Sequence, residues 1–176
     1  TNYSAPIDSN SVYTEGSLTV ESDAPVLYSD ITDASMKIRL RGNSTLYMPK
    51  LSYKIKFDEE TELLNDYAEK DWVLLANFSD QTLVRNAIAM NMSAKLDLAF
   101  TPSVTFVDLY INDEYQGNYM LTDQIEVTND RVNIEENVTD IDTGYLLELD
   151  KGIFYFEEKL ANENYFYSYD LPFMIK

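Results

Sequence analysis

At 176 residues, with 45% hydrophobic and 13% aromatic side chains, the chain has the length and apolar content of one folded domain rather than an acidic tail. Its 31 acidic and 13 basic groups give a net charge of -18, which disfavours nucleic acid or an anionic membrane as partner. Cys and His are absent, excluding disulfides, thiolate metal sites and every triad or zinc chemistry built on His.

What remains for chemistry is carboxylates, Lys, Arg and bound Mg²⁺ or Ca²⁺. No run approaches the ~20 apolar residues a bilayer needs, so no membrane insertion is expected. Residues 1–17 are polar and rich in turn formers, with no charged and then apolar start of the kind a signal peptide carries. LTVES and APVLYSDI then give short strand-like pieces, so residues 1–35 read as N-terminal strands and loops of the same domain as 36–176.

The stretch from Lys37 to Phe57, KIRLRGNSTLYMPKLSYKIKF, holds six of the thirteen cations and no acid, while the rest of the chain has seven basic and 31 acidic groups. Met36, Ile38 and Leu40 alternate with Lys37, Arg39 and Arg41; Tyr53, Ile55 and Phe57 alternate with Lys54 and Lys56. Strand side chains alternate faces with period two, so two strands at about 36–41 and 51–57, joined through Gly42–Pro49, would show one apolar and one cationic face. The plainer alternative is that these cations only pair with the surplus carboxylates around them.

The acidic run Asp58–Lys70 reads as a loop or short helix and WVLLANF as a buried strand. Residues 80–97 read as the principal helix, capped by Ser79 or Asp80, with Leu83, Ala87, Met90 and Ala94 on one face. Arg85 near the positive end of that helix calls for a carboxylate partner. TFVDLYIN, Asp113 and EYQGNYMLTDQIEV read as a hairpin, because Asn112 and Asp113 tolerate the positive φ of a tight turn. Further strands are expected at 131–135 and 144–150. The predicted fold is α+β: a mostly antiparallel mixed sheet of five or more strands with one principal helix.

Six blocks in order resemble the CotH family, the spore coat protein H-like atypical protein kinases: RGNST at 41–45, SYKIKFD at 52–58, KDWVLLANFSDQTLVRN at 70–86, FVDLYINDEYQGNYMLTDQIEV at 106–127, DRVNI at 130–134 and GYLLELD at 144–150. The resemblance implies a fold similar to the N-terminal lobe of a protein kinase. It implies ATP and Mg²⁺ as cofactors, a protein substrate or coat or surface protein as partner, and an extracellular, cell-surface or spore-coat location. The family's catalytic and metal-binding Asp residues lie downstream of LPFMIK, so residues 36–176 are expected to be the lobe without its catalytic half: no catalytic residue and no metal ligand here.

SYKIKFD is the motif that carries the phosphate-anchoring Lys of that family, which points to Lys56, with Lys54 on the same face. Arg41 leads the RGNST loop; Arg grips phosphate through two donors, Gly42 lets backbone amides approach an anion, and Asn43 adds a short polar group. The predicted helix has no Glu, the usual kinase partner of such a Lys. Glu126 and Glu148 are the candidates for that partner or for a hinge position. The resulting expectation is the nucleotide-binding part of a CotH-like protein kinase, itself inactive in phosphoryl transfer to Ser or Thr. The alternative, from another class, is a non-catalytic surface or spore-coat assembly or adhesion module.

Overall fold

The structure is a computed structural model that describes residues 6–24, 26–135, 144–149 and 165–175. The chain divides into two compact units, Thr1–Gln124 and Ile125–Lys176. The first is a six-stranded antiparallel sheet in the order β1-β2-β3-β4-β6-β5. Its strands are β1 (Thr14–Val20), β2 (Ile31–Arg41), β3 (Ser52–Glu62), β4 (Ala68–Leu75), β5 (Thr105–Ile111) and β6 (Glu114–Asp123), with one helix, α1 (Arg85–Lys95), between β4 and β5. The second unit is a three-stranded sheet ordered β7-β9-β8, from β7 (Leu147–Leu149), β8 (Tyr165–Ser168) and β9 (Leu171–Ile175).

This corrects the α+β, kinase-lobe expectation. The molecule is mostly antiparallel sheet, curled in the first unit into a half-barrel, with a single helix of 11 residues among the described residues. No pairing in either sheet is parallel, so the sheet is not mixed. Two local causes reduce the helical share. Leu83, at φ 61, leaves the helical region, so the helix starts at Arg85 rather than at residue 80. The acidic run is not a loop or helix either: β3 continues to Glu62 and β4 begins at Ala68, so most of it forms the far end of a hairpin. The strand expected at 131–135 is absent, and the chain there runs in bends and loop. Asp150, the end of the other expected strand, lies outside the described residues.

The alternation read in β2 and β3 is what builds the core. Met36, Ile38, Leu40, Tyr53, Ile55 and Phe57 are all buried, in register across the ribbon as Met36↔Phe57, Ile38↔Ile55 and Leu40↔Tyr53. Trp72 and Leu74 of β4 and Tyr119 and Leu121 of β6 extend the same apolar face. The opposite face carries Lys37↔Lys56 and Arg39↔Lys54, cations facing cations, and then Arg41↔Ser52. Like charges directly opposite destabilise a strand pair, so each of these pairs has to be compensated by something nearby.

The β5–β6 hairpin forms as read, with Asn112 at φ 51 and Asp113 at φ 66 in the turn. A bulge opposite Gly117 bends the pair. In α1 only Ala87 of the expected apolar face is buried, and Met90 reaches back to within 4.0 Å of Thr122 Oγ1 on β6.

Candidate functional site

The cationic face of β2 and β3 has two ends with different electrostatics. At one end stand Lys54 and Lys56. The β3–β4 register sets Asp71 opposite Lys56 and Val73 opposite Lys54. Asp71 serves both lysines: its Oδ1 is 2.7 Å from Lys54 Nζ and its Oδ2 is 3.5 Å from Lys56 Nζ. The Asp71 and Lys54 side chains are 8% and 13% exposed, whereas Lys56 is 49% exposed. The largely buried Lys54–Asp71 pair thus holds a charge that Lys56 extends into solvent. On the neighbouring cross-strand pair, Asp58 lies 3.7 Å from Lys37. A hydrogen bond from Ser35 holds the Asp58 carboxyl below the usual range, with Lys37 and Lys70 adding to the effect.

At the other end, Arg41 and Ser52 open onto a cavity of about 290 Å³. Its walls come from the 3-10 turn at Ser44–Tyr47, the end of β4 with the loop that follows it, and the first residues of α1. Three cations, Arg41, Lys50 and Arg85, line it with one carboxylate, Asp80. Arg41 makes no ion pair among the described residues, and burial, with the like charge of Arg39, pulls its pKa down. Lys50 is also pulled down by burial. Its ammonium donates to the carbonyls of Asn118 and, at 3.2 Å, of Ala76, and sits 4.2 Å from the centre of the Tyr119 ring. That ring is fixed by its hydroxyl, which donates to Leu51 O at 2.9 Å, and burial together with Tyr53 raises its pKa.

Asp80 organises the third wall. Its Oδ1 accepts from the Thr82 amide at 3.0 Å and the Thr82 hydroxyl at 2.6 Å, and its Oδ2 accepts from the Arg85 amide at 2.9 Å. These donors hold the Asp80 carboxyl below its ordinary range. Arg85 Nε lies 3.4 Å from Asp80 Oδ1, which is the carboxylate partner that its place near the helix start calls for. The helix start is therefore capped from five residues upstream, across a turn, rather than by an adjacent residue.

The RGNST turn has one rigid demand. Gly42 sits at φ 120, and a Cβ there would come 1.9 Å from Thr45 Oγ1. Asn43 begins the 3-10 turn; it is exposed and does not line the cavity, whereas Thr45 does. Glu126 and Glu148 both belong to the second unit, where Glu126 receives a 2.8 Å hydrogen bond from Arg131, whose side chain is fully buried, and Glu148 is exposed on β7. The structure thus brings Lys54 and Lys56 together on Asp71, and gathers Arg41 with Lys50 and Arg85.

Sequence reasoning did not single out Asp71, Lys50 or Asp80 as site residues. Lys50 stood inside the acid-free stretch, so its charge was visible while its place at the end of the ribbon was not. Asp71 could have been found only from the β3–β4 register, which the acidic hairpin between the strands hides. Among the described residues no three carboxylates converge as a metal site would need.

A family model described as CotH kinase protein matches residues 38–172, which takes in the cationic ribbon, α1 and the β5–β6 hairpin. No curated protein matches the chain.

Proposed function

The chain belongs to the CotH kinase protein family, and from that premise we propose that its cationic face holds the phosphates of ATP. Lys56 is the anchoring cation, Lys54 and Arg41 assist it, and Asn43 offers a polar group at the exposed start of the RGNST turn. The observation that carries this reading is the Lys54–Asp71–Lys56 cluster. A buried carboxylate fixes one Lys at 2.7 Å and touches a second that is half in solvent, so a cation is held in place and still presented outward. Asp71 supports this reading as the acidic partner of the Lys pair, the position for which a helix Glu is missing.

ATP would supply the transferable phosphoryl group, and Mg²⁺ would screen its charge. The residues described here hold and orient phosphate; activation of a protein hydroxyl belongs to groups outside them. The protein acceptor would be a coat or surface protein, in keeping with the family's relation to the spore coat. Calorimetric titration with Mg-ATP tests the reading. Lys56→Ala should weaken binding at least tenfold, and equal binding by variant and parent would take Lys56 out of the site. Retention of a partner coat protein with no ATP binding in either form would favour an assembly module instead.

A further inference from the structure

We propose that the cavity beneath the RGNST turn is a phosphoryl-group subsite formed by Arg41, Lys50 and Arg85. The inference rests on the phosphate-binding reading of the same sheet face and adds to it a half-open pocket with its own ligand set. Neither Lys50 nor Arg85 had a role in that reading.

The argument starts from cost. A guanidinium or ammonium withdrawn from water is unfavourable unless a counter-charge or full hydrogen bonding replaces the solvent. In this chain counter-charges are abundant: 31 acidic groups against 13 basic ones. Lys37, Lys54 and Lys56 each have a carboxylate within 4 Å. Among the described residues Arg41 and Lys50 have none, although burial lowers the pKa of both. The lining carries three cations and one carboxylate, and that carboxylate is engaged by Thr82, by the Arg85 amide and, at 3.4 Å, by Arg85 Nε, so that Arg41 and Lys50 supply the surplus. Three cations against one carboxylate give the cavity a local surplus of positive charge in a protein of net charge -18.

The geometry fits a compact, multiply charged oxyanion. About 290 Å³ accommodates a phosphoryl group with its first waters, at roughly 30 Å³ per water. Arg41 brings a planar fork of donors suited to two phosphate oxygens. Lys50 spends two of its three N–H donors on the carbonyls of Ala76 and Asn118, which fixes the ammonium and leaves one donor over. Thr45 adds a short neutral donor and Asn86 a second N–H beside the one it gives to Asn77, and the first residues of α1 bring the positive end of the helix dipole. No Cβ can be added at Gly42 without striking Thr45, so the turn keeps its close approach.

The phosphoryl group has two sources, the end of a nucleotide's phosphate chain or free phosphate. Ser52, on the cavity wall, is two residues from Lys54 along β3, roughly 7 Å, so one polyphosphate chain reaches both ends of the face.

The test is calorimetric titration with inorganic phosphate at fixed ionic strength. Phosphate should bind the parent protein, and Arg85→Gln and Lys50→Met should each weaken it at least tenfold. Lys95→Gln, which removes one cation from the last turn of α1, should stay within twofold. Arg85 is 74% exposed, so its variant keeps the fold even if Lys50→Met does not, and thermal unfolding of each sample checks this. Absence of phosphate binding, or equal binding by parent and Arg85→Gln, overturns the subsite. Adding Mg-ATP to phosphate-loaded protein separates the sources: displacement identifies the nucleotide, and simultaneous binding identifies free phosphate. Should Lys56→Ala bind Mg-ATP like the parent while Arg85→Gln still loses phosphate, the nucleotide placement fails and the subsite stands.

Discussion

Lys54 and Ile55 are adjacent in the chain and do opposite work. Ile55, 2% exposed, belongs to an apolar face in which every second residue from Met36 to Leu40 and from Tyr53 to Phe57 is buried. Lys54 belongs to a face where cation stands opposite cation across the same two strands. One face lowers the free energy of the fold by removing apolar area from water; the other raises it through repulsion and desolvation, only partly offset by Asp71 and Asp58. That second face therefore depends on its counter-charges, and a single register slip would exchange it with the core.

Substitutions that treat the two faces separately should break the comparison if it is wrong. The largest effect is expected from Phe57→Ala, since a fully buried aromatic loses its contacts and leaves a cavity: about 4 kcal/mol of stability in urea unfolding. Asp71→Asn comes next. It strips the shared counter-charge from Lys54 and Lys56 and should cost about 2 kcal/mol, less than a fully buried pair because Lys56 is half in solvent. On the phosphate-binding reading the same variant should also weaken Mg-ATP binding several-fold, because Lys54 loses the carboxylate that holds it in place.

Acid titration sharpens the comparison at the cavity. The Asp80 carboxyl has its folded pKa below the unfolded value, so it binds its proton less readily when folded. Its contribution is present above the ordinary carboxylate pKa of about 4 and is lost as pH falls through the depressed value. Asp80→Asn should flatten that part of the stability–pH curve and loosen the start of α1, seen as faster amide exchange at Arg85. A curve unchanged by Asp80→Asn would put the acid sensitivity elsewhere. The smallest effect on stability belongs to Lys56→Ala, within about 0.5 kcal/mol of the parent, because the Lys56 ammonium is half in solvent and Asp71 keeps Lys54 as its closer partner. A large loss there would move Lys56 from the binding face to the structural one.

The sequence showed the ribbon clearly because period-two alternation and charge coincide in it: the strands, the apolar set and the cationic set all follow from residues 36–57. The hairpin at Asn112–Asp113 was legible for a similar reason, since those side chains accept positive φ. The β8–β9 hairpin carries the same backbone at Tyr169 and Asp170, but Tyr gives no such signal. The α+β expectation failed because apolar spacing at 80–97 was counted as helix, while the hydrogen bonds of Asp80 bend residues 80–84 into a turn. Membership of the family was legible in ordered blocks. Which carboxylate meets which lysine was not, because Asp71 reaches Lys56 through a register that a hairpin of charged residues sets. Lys50 lies at a strand end, where neither period nor motif says which way a side chain runs.

The strand order has one further consequence, for the rate at which the molecule assembles. Strands β1 to β4 follow one another as hairpins, each closed by a connection short enough to form early. The β4–β6 pairing instead joins Leu75 to Met120 across α1 and β5. Closing a loop of that length costs roughly 3 kcal/mol of chain entropy before any contact is gained. The β2–β3–β4 ribbon, cations included, would then be in place while the β5–β6 hairpin is still docking. Pulsed amide exchange during refolding should find the Ile55 amide protected ahead of that of Leu121; simultaneous protection would mean that the sheet closes in one step.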